Sequence, residues 1–213
     1  MIINYPWKAD EFEKIIKSLL KGDLIAFPTD TVYAIAALST SKKAVKRLYK
    51  IKKRQDNKPT AILIGNKIDY KKYTKDSSQG TKKIINAFWP GALTLVLRSK
   101  SGFSSHFQGN SSDFIGIRHP SEPLIEEILV TIKEPLVASS SNTAGEPPLN
   151  TPEAIDSVFG KHLACIIRKP DFYPNPPSTI VKIDNNKFTI LREGAITRTQ
   201  INQALDKKEN NDH

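Results

Sequence analysis

Short apolar, β-branched runs alternate with helical repeats along this chain, and no Pro/Gly/Ser-rich linker parts them. Residues 24–27, 60–64, 93–97, 114–118, 136–139 and 163–167 read as strands, with Pro28 expected to stop the first. Residues 10–21 carry Phe12, Ile15, Ile16, Leu19 and Leu20 at helical spacing, with Asp10 placed to cap and Lys21-Gly22 to end the helix. In residues 41–53, Ala44, Val45, Leu48 and Ile51 share one face while most of the lysines point away. Ile84, Ile85 and Phe88 suggest a helix running into Trp89-Pro90-Gly91. Residues 123–130 and 151–159 also read as helices, the second with Thr151 as cap and Pro152 at its first position. Residues 179–183 and 188–191 flank Asp184-Asn-Asn-Lys187, a hairpin signal, and a last short helix covers 199–205. This order predicts one α/β domain over residues 1–205, a twisted mixed sheet flanked by helices, with residues 206–213 as a disordered tail. Residues 102–112, rich in Ser, Gly and Asn, are expected to be mobile.

Length and composition narrow the class. A chain of 213 residues, 38% apolar and 25% charged, can bury a sizeable core. No apolar run approaches the roughly 18–20 residues needed to cross a bilayer, so no membrane partner is expected. Residues 1–8 lack the basic, apolar and small-residue order of a secretory signal. The single cysteine, Cys165, excludes an internal disulfide and fits a reducing compartment, the cytoplasm by default. The net charge of +10 is unevenly spread: fifteen of the 32 Lys and Arg fall between Lys42 and Lys83, against Asp56, Asp69 and Asp76. A one-sided positive field attracts phosphate, on a nucleotide or on RNA.

The stretch from Ile25 to Ile64 runs strand, hydroxyl-rich turn, basic helix, cationic loop and strand. It gathers threonine hydroxyls with Lys52, Arg54 and Lys58, as a small polyanion such as a nucleoside triphosphate would require. Ala138-Ser-Ser-Ser-Asn-Thr-Ala-Gly145, after an apolar strand, offers backbone amides and hydroxyls for phosphate. Other chemistries find less support. The histidines show no metal-ligand spacing, and glycine fingerprints for dinucleotides or P-loops are absent, as is a G-x-S-x-G elbow. Cys165 reads as core and Trp89-Pro90-Gly91 as a packing turn. Arg118 fits a structural ion pair or a carboxylate clamp equally well.

Seven segments together resemble the YrdC family, the threonylcarbamoyl-AMP synthases. They are Pro28-Thr-Asp-Thr-Val-Tyr33, Lys52-x-Arg54, Trp89-Pro-Gly-Ala-Leu-Thr94, Gly116-Ile-Arg-His-Pro120, Ser140-Ser-Asn142 with Ala144-Gly145, Pro177-Ser-Thr-Ile-Val181 and Leu191-Arg-Glu-Gly-Ala195. They span roughly residues 9–197, and the chain resembles the single-domain form. The resemblance implies a nucleotidyltransferase that joins L-threonine, bicarbonate or CO2, and ATP into threonylcarbamoyl-AMP and pyrophosphate. A partner complex would then modify tRNA with the product. It further implies catalytic roles for Lys52 and Arg54, and ATP held by Arg54, Lys58, Ser140, Asn142 and Arg192. Threonine would be enclosed by Thr31, Arg118, Ala138, Ser178 and Thr179. Mg2+ would arrive with ATP rather than in a protein-built site. A non-catalytic RNA-binding protein using the basic face is the alternative. Ala34, Leu63, Ala144 and Pro148 depart from the family pattern around the cleft.

Overall fold

Serine and threonine start several helices by accepting the first free backbone N–H groups: Ser41 from Ala44 at 3.3 Å, Ser78 from Thr81 at 3.2 Å and Thr151 from Ala154 at 3.2 Å. The computed structural model describes residues 1–55, 59–100, 113–185 and 187–206. The strands are Ile2–Asn4 (β1), Leu24–Pro28 (β2), Tyr33–Leu38 (β3), Ala61–Leu63 (β4), Leu93–Arg98 (β5), Phe114–Arg118 (β6), Leu136–Ser140 (β7), Leu163–Arg168 (β8), Thr179–Asp184 (β9) and Lys187–Arg192 (β10). The helices are Ala9–Lys21 (α1), Lys42–Ile51 (α2), Tyr70–Tyr73 (α3), Gln79–Phe88 (α4), Pro123–Ile132 (α5), Pro152–Phe159 (α6) and Arg198–Asp206 (α7). The expected mobile segment 102–112 and residues 207–213 of the expected tail lie outside the described residues, while Asp206 still belongs to α7.

All ten strands join one mixed sheet in the order β1-β8-β2-β3-β7-β4-β6-β5-β9-β10. Its parallel pairs are β1/β8, β8/β2, β4/β6 and β5/β9. Residues of alternating parity feed two cores. Tyr33, Ile35 and Ala37 face the layer holding buried residues of α2, α4, α6 and α7. Ala34, Ala36 and Leu38 face the layer holding α1 and α5. The expected hairpin is present as β9/β10, Lys187 pairing with Asp184, with Asn185 at φ 48°, a left-handed conformation that Asn tolerates.

The structure departs from the sequence expectations in three places. α1 starts a residue before the expected Asp10: Glu11 accepts from the Lys8 amide at 2.9 Å, and Asp10 pairs instead with Lys14. Pro28 does not stop β2 early but closes it, opposite Tyr33. β3 and β1 had no counterpart in the expected strands. β3 is buried at every position, so its apolar residues run on without alternating.

Candidate active site

The turn between β2 and β3 is organised by Thr29. Its Oγ1 accepts from the amides of Thr31 (3.0 Å) and Val32 (3.2 Å), donates to the Val32 carbonyl (2.7 Å) and lies 2.9 Å from Thr31 Oγ1. Arg118, at the end of β6, reaches this turn. Its Nη1 donates to Thr31 Oγ1 at 3.0 Å, its Nη2 to Asp30 Oδ1 at 2.7 Å and its Nε to the Gly91 carbonyl at 3.1 Å. The residue is only 7% exposed. Burial lowers its pKa, while the Asp30 charge opposes that shift.

A second group forms where α2 ends. Lys53 adopts φ 50°, and the Arg54 amide returns to the Tyr49 carbonyl at 3.0 Å. This reversal turns Lys52 inward, to 2% exposure. Its Nζ donates to the Ser140 carbonyl, to the Asn142 carbonyl at 2.6 Å and to Asn142 Oδ1 at 3.2 Å. Burial first, and then the neighbouring Arg54 charge, push the Lys52 ammonium down to about 7. Ser140 Oγ donates to the same Asn142 Oδ1 at 2.6 Å, and Asn142 Nδ2 donates to the Thr143 and Glu146 carbonyls at 3.0 and 2.7 Å. Arg54 donates to the Pro59 carbonyl at 2.7 Å.

The third contribution comes from the far side of the sheet. Arg192, ending β10, donates to the Ser178 carbonyl at 2.7 Å and to Ser178 Oγ at 3.2 Å. Ser178 Oγ in turn sits 2.9 Å from Thr94 Oγ1. Burial and the nearby Arg118 charge both lower the Arg192 pKa.

These groups share a cavity of about 380 Å³. Thr31, Arg54, Arg118, Ala138, Ser140, Asn142, Ser178 and Arg192 line it, with apolar wall from Val32, Ala34, Ala61, Leu63 and Ile180. The small side chains of Ala34, Ala61 and Ala138 leave room on the sheet face, where Ala138 pairs with Ala61 and Ser140 with Ala34. Cations and hydroxyl donors around an apolar floor suit an anionic ligand that also carries a small apolar group.

The Sua5/YciO/YrdC family model, described as telomere recombination, matches residues 17–194. The chain belongs to this family. Among curated relatives, a protein of Methanocaldococcus jannaschii named putative threonylcarbamoyl-AMP synthase is 35% identical over 196 residues, covering 90% of this chain and 91% of the relative. The threonylcarbamoyl-AMP synthase of Vibrio campbellii is 28% identical over 185 residues, covering 86% of this chain and 98% of the relative. Of the solved structures, Pyrococcus abyssi Sua5 complexed with L-threonine superposes with a TM-score of 0.90 at 25% identity over 97% of this chain. The alignment covers 61% of that longer Sua5 chain. E. coli YciO has the same fold, with a TM-score of 0.84 at 21% identity, and the alignment covers 94% and 98% of the two chains.

Within this YrdC-family fold most of the residues singled out from sequence line the cavity, and two described ones, Thr179 and Lys52, do not. Lys58 lies outside the described residues. Thr179 is fully buried and does not line the cavity: its Oγ1 donates to the Ile196 carbonyl at 2.5 Å and accepts from the Gly194 and Ile196 amides, so no donor is left for a ligand. Lys52 stands behind the cavity wall, with its ammonium spent on the 140–142 turn. Of the two readings of Arg118, the ion pair is present, with Asp30, and the carboxylate clamp would fall to its remaining donors. Three of its N–H groups are engaged, of the five a guanidinium carries.

Sequence reasoning missed Asp30, Thr29 and Thr94, although the hydroxyl-rich turn was itself the available signal for the first two. Of the family departures, Ala34, Leu63 and Pro148 all line the cavity, whereas Ala144 is exposed and only its amide is used, by the Lys52 carbonyl at 2.9 Å. Trp89 is a packing residue, 4% exposed with Nε1 donating to the Leu93 carbonyl at 2.8 Å. Cys165 is core, its thiol pushed up to about 12 by burial. The lysines at 42, 43, 46 and 50 face solvent from α2.

Proposed function

We propose that this protein is a cytoplasmic L-threonylcarbamoyladenylate synthase, a nucleotidyltransferase forming threonylcarbamoyl-AMP and pyrophosphate from L-threonine, bicarbonate and ATP. Its product would be passed to a complex that modifies tRNA. The reading is supported by one juxtaposition, Arg54 and Ser140 on the same cavity as Thr31, Arg118 and Ser178, in a chain related to proteins named for this reaction. The printed description of the L-threonine complex of Pyrococcus abyssi Sua5 supports the same amino acid here.

In this reaction the threonine amine adds to CO2 as a carbamate, and a carbamate oxygen attacks the α-phosphorus of ATP. The bond from that phosphorus to the bridging oxygen breaks, and pyrophosphate leaves with the electron pair. The step asks for alignment and for positive charge near the departing phosphates, not for a covalent nucleophile. Arg54 and Arg192 supply the charge, beside the wall built by Ser140 and Asn142, where the Ser140 hydroxyl proton goes to Asn142 Oδ1. Thr31, Ser178 and the remaining Arg118 donors suit threonine's carboxylate and hydroxyl, with Ala138 and Leu63 against its methyl group. Lys58 would add a further phosphate contact. Among the described residues no group of three or more His, Cys, Asp or Glu side chains could hold a metal ion, and the Asp30 carboxylate, beside Thr31 of the cavity wall, is engaged by Arg118. Mg2+ would therefore enter with ATP, held by phosphate oxygens and water.

The test is pyrophosphate release from ATP with and without L-threonine and bicarbonate, using L-serine as control. Release is expected only with threonine and bicarbonate together. Arg54→Ala should keep the fold and lower turnover by about 10²–10³, the loss typical of one preorganised donor. Release indifferent to threonine would overturn the substrate assignment.

A further inference from the structure

Lys52 is one of the two cations to which the family resemblance gives a catalytic role, yet it is absent from the cavity lining. An ammonium carries three donors and no acceptor. Here the three acceptors are the Ser140 carbonyl, the Asn142 carbonyl and Asn142 Oδ1. A phosphate oxygen could bind Nζ only by displacing one of them. The contact is also reciprocal, because the Ala144 amide donates to the Lys52 backbone carbonyl at 2.9 Å.

The consequences run outward from this knot. Asn142 Oδ1 accepts from both Lys52 and Ser140 Oγ, which fixes the amide so that Nδ2 points to the Thr143 and Glu146 carbonyls. The Ser140 hydroxyl is aimed by the same oxygen. On the other side Lys52 closes α2 two residues before Arg54, so the position of Arg54 depends on how Lys52 is anchored. We infer that Lys52 is a positioning residue: its ammonium ties the end of α2 to the Ser140–Asn142 turn, and thereby holds Arg54 on the same cavity as Ser140. This deepens the synthase reading and rests on it for the identity of the phosphate. The cost of burying this charge, which drives its pKa down to about 7, explains why three oxygens are gathered around it.

The inference separates two behaviours. A phosphate ligand acts independently of the turn; a tether acts only through it. In the full chain, Lys52→Met is expected to lower kcat/KM for ATP about 10²-fold, as a misplacement near 1 Å can, while the affinity for L-threonine measured by calorimetry changes less than about threefold. Asn142→Ala removes one of the three acceptors, Oδ1, together with the anchor of the Ser140 hydroxyl, and keeps the two carbonyls. The double variant should lose no more than the worse single variant, because both changes break one unit. Independent of turnover, hydrogen exchange at the Asn142, Ala144 and Glu146 amides should speed up at least about tenfold in Lys52→Met without any ligand.

Losses that multiply in the double variant would overturn the tether and restore Lys52 as a phosphate ligand, and so would unchanged exchange in residues 142–146. Should Lys52→Met fail to fold, Lys52→Arg, which keeps the charge but not the fit of three oxygens around one nitrogen, is measured in its place, and unchanged exchange in residues 142–146 there overturns the inference. A wild-type protein that releases no pyrophosphate with threonine would refute the synthase reading by itself. The exchange measurement would still decide whether Lys52 holds the turn.

Discussion

Arg118 and Asp30 show how a single buried charge is made tolerable. The pair lies at 2.7 Å with side chains 9% and 15% exposed, and Thr31 Oγ1 and the Gly91 carbonyl take two further guanidinium N–H groups. The attraction offsets a desolvation cost of several kcal/mol, so the pair adds little net stability. Removing one charge is different, since the other is left buried and uncompensated. Asp30→Asn is expected to lower the unfolding free energy by about 3 kcal/mol, read from a urea titration at neutral pH. A loss below about 1 kcal/mol would mean that Thr31 and Gly91 suffice to hold the cation. Side-chain chemistry alone distinguishes Arg118 from a surface arginine only by the apolar run that it closes, which left its two readings open until the family-like segment around it was weighed.

Elements were legible where side-chain chemistry acts locally. Thr151 caps α6 as expected, the apolar faces of α2 and α5 repeat at helical spacing, and Ser41 and Ser78 cap by the same chemistry although the sequence reading did not single them out. β3 was not legible, because alanines at 34, 36 and 37 carry little strand preference and full burial erases alternation. The role of Lys52 was equally hidden: Lys50 and Lys53 lie within two residues of it, and only the left-handed turn at Lys53 accompanies its turning inward. The connection after β10 carries a constraint of another kind. A Cβ at Gly194 would lie 2.0 Å from the Pro177 carbonyl oxygen and 2.8 Å from the Ser178 carbonyl carbon, so backbone would have to shift. That backbone carries Ser178 and receives Arg192. Gly194→Ala should therefore cost about 1–3 kcal/mol and lower pyrophosphate release at least tenfold. Thermal melting and turnover that both match wild type would show that the close approach is not maintained in solution.

At the scale of the whole molecule, one sheet with a core on each face leaves no seam for separate unfolding. β1 near the N-terminus pairs with β8, Ile2 opposite Ile166, so the first strand is held by one that comes late in the chain. Far-UV circular dichroism and tryptophan fluorescence should report the same denaturation midpoint, Trp89 lying in the core on one face and Trp7 packing against that on the other. Midpoints that differ would show that the layers melt separately. The pairing of β3 with β7 has a further effect. Ala34 faces Ser140 across the ladder, and the Ser141 amide donates to the Tyr33 carbonyl at 2.9 Å. The lip that bears the threonines and the lip that bears Ser140 are bound along one edge, like two pages at a spine. A molecule touching both meets a template already set, so its capture forfeits little ordering entropy and awaits no slow rearrangement of those lips.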